Sequence, residues 1–331
     1  MTRCAAATAR APACTWRAAS ASWRGRNRTI STEPAGGPAA PVARQRQIGF
    51  ACLLVTALGW GLTWPVLKAV LQELPPLTAR GLGGLLAFLL LAAVALLARL
   101  PLALPAGERG AVLLAALLNF SAWMGFSTLG LLWLSAGEAA LVAYTMPVWA
   151  ALLAWPVLGE KPSTARIGAL LLGFSGVGVL VSAQGVQAGA EKLPGVALVL
   201  LAALCFALGA VLSKKRPLRL HPVAAVIWQV GLGSLPILAG ALLLERPVWS
   251  GAGPVALGGV VYMAVVPLSL CYVTWFGALR RLPANTAAMG TLLTPMIGML
   301  ASAALLGEPL GWRQGVAMAL TLSGVVLALR G

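Results

Sequence analysis

The residues with chemistry to offer are few, and most are aromatic or hydroxylic. In the stretch GWGLTWPVLK, residues 59–68, Trp60, Thr63 and Trp64 fall on one face at helical spacing. A tryptophan in apolar surroundings offers a flat face and one N–H donor, suited either to stacking on a ligand or to packing between helices. For Trp64, nearer the end of the helix, an interfacial aromatic belt is a further reading. Pro65 removes a backbone hydrogen bond and predicts a kink there. Lys68 either snorkels its ammonium to an interface or turns inward to meet a ligand carboxylate.

Two more prolines, Pro147 and Pro295, are expected near the centres of their helices. Each would deny a partner to the carbonyl four residues earlier, on Ala143 and Thr291. A carbonyl freed inside a membrane needs a side chain, a water or a ligand. Tyr144 and Thr145 flank the first proline, and Thr291 and Thr294 flank the second, so hydroxyls are at hand for an amine or amide. Asn119, Ser121, Trp123, Tyr262 and Tyr272 are further candidates, because a polar group in the apolar phase costs free energy unless it is paired.

The acids are sparser still. Glu160 and Glu308 each follow a glycine, Gly159 and Gly307, at a helix end, where the helix dipole disfavours a carboxylate. Both are expected to cap a neighbouring helix or to pair with a cation, a structural role. Glu138 opens a helix, where the dipole suits it. It is also the nearest candidate for a proton-coupling carboxylate, since the central parts of the helices contain none. No Asp occurs, His221 is the single histidine, and the five cysteines show no CxxC spacing. A metal centre or an acid/base constellation would need such groups clustered, so no metal, no cofactor and no enzymatic activity are expected.

Which elements hold these residues follows from composition. Of 331 residues, 60% are hydrophobic and 10% charged. A soluble domain carries about 25% charged residues, so most of this chain has lipid as its solvent. The formal charge of +16 does not mark a nucleic-acid partner. Its cations are scattered between apolar runs, as in a multispanning protein that sets its topology by charge. Residues 1–47 hold eight Arg and one Glu and no apolar run of signal-peptide length. They read as a disordered basic tail, although a start codon placed too far upstream explains them equally well. Beyond the tail, charges bracket uncharged windows of the roughly 20 residues that cross a bilayer. The first ends at Lys68, the second runs from 81 to 98 and the fourth from 139 to 159, and in all they predict ten helices. With the N-terminus inside, eleven of the later cations face the cytoplasm and five, among them Lys68 and Arg80, face outward. Both termini are therefore expected in the cytoplasm.

The chain also repeats itself. Pro147, Leu158, Gly159 and Glu160 recur as Pro295, Leu306, Gly307 and Glu308, and Ser175-Gly176-Val177 recurs as Ser323-Gly324-Val325, all at one spacing. Nearer the front of each half, Lys68 matches Lys214 and Pro76 matches Pro222. Two copies of an odd, five-helix unit enter the membrane from opposite sides, and such inverted repeats place a binding site near the midplane between them. The halves are expected at residues 48–190 and 191–331. WGLTWPVLK, PVWAALLAWPVLGEKP and ALLGEPLGW resemble the EamA branch of the drug/metabolite transporter superfamily over about residues 48–330. The resemblance implies an all-α integral membrane protein of ten helices, a central cavity and a bacterial inner-membrane location. It also implies export of amino acids, related metabolites or drug-like compounds. With all later cations placed in loops, small zwitterionic or neutral amphipathic substrates fit better than nucleotide sugars or phosphate esters. A sensor or assembly protein would not need inverted halves. The expected partners are a small-molecule substrate and the lipid bilayer, and the sequence leaves a homodimer open.

Overall fold

The computed structural model describes residues 39–160, 164–182, 186–246, 252–282, 286, 287 and 290–330, and every regular element among them is helical. In chain order the segments are α1 (Ala39–Val70), α2 (Pro76–Leu97), α3 (Ala106–Gly130), α4 (Ala136–Leu158) and α5 (Thr164–Ser182). The second half follows with α6 (Val186–Lys215), α7 (Pro222–Leu244), α8 (Pro254–Leu279), α9 (Leu293–Leu306) and α10 (Trp312–Arg330). Seven of them, α1 to α4 and α6 to α8, are long and apolar enough to cross a membrane, and α5 and α9 carry shorter apolar stretches. This is a multi-pass membrane protein.

Local sequence sets where the helices begin and end. Pro76, Pro222 and Pro254 sit in the first turns of α2, α7 and α8, where a missing N–H costs nothing and the fixed φ suits a helix. The second helix thus starts five residues before the charge-free window does, and it takes Arg80 inside. Ser135 and Glu138 form a reciprocal capping box at the start of α4. Gly159 (φ 76°) and Gly307 (φ 67°) end α4 and α9 in the left-handed conformation that glycine adopts without strain. The N–H of the glutamate that follows reaches back to Ala154 in one case and to Ser302 in the other. The repeated Leu-Gly-Glu motif is therefore a helix stop.

Two expectations change. The expected tail lies outside the described residues as far as 38, but Ala39–Gln47 is already the front of α1. Ala, Arg and Gln favour helix, and the helix continues beyond its apolar part. Pro147 and Pro295 do not kink the middle of continuous helices. The chain turns at Tyr144–Thr145 and at Thr291–Leu292, and each proline lies within the first turn of the helix that follows. A proline ring clashes with the carbonyl four residues back, and breaking the helix removes the clash altogether. At Pro65, by contrast, α1 runs on unbroken.

The helices pack in pairs related across the two halves: α5 against α10, α2 against α7, and α6 against both α3 and α4. The α5–α10 pair meets at the repeated glycines. A Cβ on Gly176 would lie 2.8 Å from the Ala317 carbonyl oxygen, and one on Gly324 would lie 2.7 Å from that of Ala169. Gly176→Val must push the two backbones apart, and overpacking of this kind costs about 1–3 kcal/mol or more. The variant should melt several degrees below wild type in detergent. Gly178→Val, where an added Cβ meets nothing within 4 Å, should not. Equal melting of the two variants would remove the close contact.

Contacts between helix ends sort into two sets. At one end, Glu73 accepts from Gly253 and Ala256 N–H at the start of α8, and Glu245 accepts from Leu77 and Thr78 N–H at the start of α2. At the same end Glu308 accepts from Ala136 and Gly137 N–H at the start of α4. At the other end Lys214 pairs with Glu160 at 2.7 Å, Arg216 reaches the Gly107 carbonyl and Arg281 reaches Gln45. Among the described residues each of these ties stays at its own end, as expected of helices that alternate in direction.

Candidate functional site

A cavity of about 350 Å³ lies between α1, α2, α3, α4, α6 and α8, with Thr291 before α9 completing its wall. Both halves of the chain contribute. From the first half come Trp60, Thr63, Trp64, Trp123 and Tyr144; from the second come Phe206, Pro267, Tyr272 and Trp275.

Aromatic side chains hold one another in place along this wall. The Trp60 indole N–H donates to the Pro267 carbonyl at 3.1 Å. Its ring meets Tyr272 edge-on at 6.1 Å and Trp275 at 5.9 Å between centroids. Pro267 belongs to a π-helical turn, Val266–Leu270, and a second such turn, Leu117–Ala122, precedes Trp123 in α3. These turns widen the helix at matching places in the two halves, a departure that recurs at functional sites. Trp123 in turn stacks on Phe206 at 5.2 Å. Trp64 is buried and lines the cavity, so it is no part of an interfacial belt.

Five candidates lie elsewhere. Asn119 donates to Gln229 at 3.2 Å, and a Cβ on Gly209 of α6 would collide with its Oδ1, so it packs α3 between α6 and α7. Thr145 donates back to the Val142 carbonyl at 2.7 Å and faces a small cleft beside Trp149 and Phe174. Thr294 is fully buried, and its carbonyl abuts Gly61 of α1. Tyr262 spends its hydroxyl on the Gly59 carbonyl at 3.0 Å, the same oxygen that accepts from Thr63 at 2.9 Å. Ser121 likewise donates to Gly233 at 2.7 Å. Side-chain hydroxyls and amides serve helix–helix contact as readily as a ligand, and spacing along one helix does not distinguish the two uses.

The charged candidates are structural in their contacts. Lys68 neither snorkels nor lines the cavity: its ammonium donates to the Leu131 and Leu134 carbonyls, which follow the end of α3. Glu138 accepts from Ser135 N–H at 3.0 Å and from Lys192 at 2.6 Å. With Glu308 and Lys192 it lines a separate cleft of about 90 Å³. Glu160, at the opposite end, holds Lys214.

Sequence reasoning missed the one cation in the cavity wall among the described residues. Arg80 was expected in an outer loop; it lies one turn inside α2, only 4% exposed, and lines the cavity. Its Nε donates to Thr128 Oγ1 at 2.8 Å, and its Nη1 lies 3.5 Å from the Met263 sulfur. The signal that marks it is Pro75-Pro76, which starts the helix before the arginine. Met124, Ser127, Met146 and Leu268 also line the cavity and carried no sequence signal.

Comparison with known proteins places this arrangement. The model of the EamA-like transporter family matches residues 47–182 and again 193–330. An uncharacterized transporter of Bacillus subtilis, YvbV, is 33% identical over 76% of this chain and 81% of its own length. A probable amino-acid metabolite efflux pump of Salmonella typhimurium is 29% identical over 86% of this chain and 96% of its own. A solved crystal structure with 20% identity shares the fold, with a TM-score of 0.61 over 86% of this chain and 96% of that one. With two matched segments that together span nearly all of the chain beyond its tail, the protein belongs to the EamA-like transporter family and is a membrane transporter of the drug/metabolite type.

Proposed function

We propose that this protein exports small amphipathic metabolites, amino acids or related compounds among them, from the bacterial cytoplasm across the inner membrane by alternating access. The observation that carries the reading is a cavity built by both halves of the chain, walled by aromatic rings and lying between helices that pair across the halves. In this reading ten helices span the membrane as two inverted five-helix repeats, with both termini cytoplasmic. The two ends of the bundle then differ in their ties. Glu73, Glu245 and Glu308 each bind the N-terminus of a helix distant in the chain and close the outer end. Each such bond to a charged group is worth about 1.5–3 kcal/mol, so opening outward requires them to exchange for other partners. The Lys214–Glu160 pair at the inner end is more exposed, with 66% and 39% of the two side chains accessible, and gives way at lower cost. The cavity is thus poised to load from the cytoplasm. That the Salmonella relative is named an efflux pump supports the same direction.

The test compares the growth medium of cells overexpressing the protein with that of cells lacking it. A defined set of compounds should rise several-fold outside the overexpressing cells. Met146→Trp, which adds bulk to the cavity wall without touching the end ties, should return them to background at equal membrane levels. A medium that does not differ between the strains would overturn export.

A further inference from the structure

The positive charge of Arg80 is unbalanced. An arginine stays ionised even when buried, and a buried charge costs several kcal/mol unless a partner compensates it. Arg80 is 96% buried by its 4% exposure, bonded through Nε to the Thr128 hydroxyl and through Nη1 to a thioether, a weak acceptor. Among the described residues it has no carboxylate within ion-pair distance, and Nη2 has no hydrogen-bond partner. The glutamates beyond the tail are placed elsewhere. Glu73, Glu245 and Glu308 hold helix N-termini, Glu138 holds Lys192, and Glu160 holds Lys214. Glu108 and Glu191 stand at the starts of α3 and α6, outside the cavity wall.

An ionised residue in a membrane bundle faces a partner or a pathway. Among the described residues the rest of the wall is aromatic, aliphatic, thioether and hydroxyl, with Arg80 as its one cation and no acid. Because Thr128 takes the Nε edge, the guanidinium is left with its Nη1 and Nη2 end, a fork that matches a carboxylate. Resting on the proposed transport reading, we infer that the cavity takes an organic monoanion: an aliphatic or aromatic body with one carboxylate, whose charge Arg80 neutralises. A dianionic phosphate ester would leave one charge uncompensated in this low-dielectric wall. A zwitterion would bring an ammonium that finds no acid there, so within the proposed range of substrates the inference selects amine-free acids related to amino acids over the amino acids themselves. About 350 Å³ lies at the low end of ligand pockets, which run from about 300 to 1,000 Å³, so the body is of the order of one ring and a short chain.

The test uses purified full-length protein in detergent and two matched probe sets. One is 3-phenylpropanoate, 3-phenylpropanamide and 3-phenylpropylamine; the other is octanoate, octanamide and octylamine. Calorimetric titration should show at least one carboxylate binding about tenfold or more tighter than its amide, with its amine weaker again. Arg80→Gln should bring the carboxylate down to the level of the amide, while Arg80→Lys, which keeps the charge and loses the fork, should fall between. An amide or amine that binds as tightly as its carboxylate overturns the inference and leaves transport intact. So does an Arg80→Gln protein that retains the preference. If no probe binds to folded wild-type protein, both the inference and the cavity as the transport site are overturned. The wild-type comparison decides the matter even where Arg80→Gln does not fold.

Discussion

Reconstituted into liposomes, the transporter should accumulate a monocarboxylate when the lumen is made electrically positive, and should not when only a pH gradient is imposed. A single charge moved through 100 mV is worth about 2.3 kcal/mol, close to a fifty-fold concentration ratio. In a cell whose interior is negative, that force points outward for an anion. It is available without any proton-binding group in the bundle. The glutamates beyond the tail support this mode, for none lines the cavity. Glu138, the best sequence candidate for coupling, has one carboxylate oxygen in its capping box and the other on Lys192. Glu138→Gln should weaken the start of α4 by about 1 kcal/mol and leave the dependence on potential unchanged. Protein-free liposomes correct for permeation of the neutral acid. Accumulation driven by protons at zero potential, and lost in Glu138→Gln, would make Glu138 the coupling residue and end the uniport reading.

Fusions of a compartment reporter after Glu160 and after Glu308 should give opposite signals, cytoplasmic for the first and external for the second. The effect is all-or-none, because each reporter is active on one side only. The contacts at the helix ends support the outcome: Glu308 binds the start of α4 while Glu160 binds Lys214 at the end of α6. In the proposed topology the excess of Lys and Arg at the Glu160 end faces the cytoplasm. Equal signals from the two fusions would abolish the inverted arrangement, and the alternating-access reading would go with it.

The family, the helices and the helix stops were legible in the sequence because each rests on a local property. A run of about 20 uncharged residues has one stable placement in a bilayer, and glycine before glutamate at a helix end has one common conformation. Trp60, Thr63, Trp64, Trp123, Tyr144, Tyr272 and Thr291 were found by residue type, and the structure brings all seven to one cavity. Asn119, Thr145, Thr294 and Tyr262 passed the same test but do not line it: Asn119 and Tyr262 bond to neighbouring helices, Thr145 bonds back to its own segment and Thr294 is buried, since the rotation of one helix against another depends on packing partners distant in the chain. The same dependence decided the charges. Lys68 has the look of a snorkelling lysine until the end of α3 supplies two carbonyls, and Glu308 of a misplaced carboxylate until α4 presents its N-terminus. For Arg80, hydropathy records only that a charge interrupts an apolar run; it does not record on which side of the interruption the helix begins. Pro76 starts the helix early, α3 and α8 close over the arginine through Thr128 and Met263, and the charge that should have marked a loop becomes part of the cavity wall.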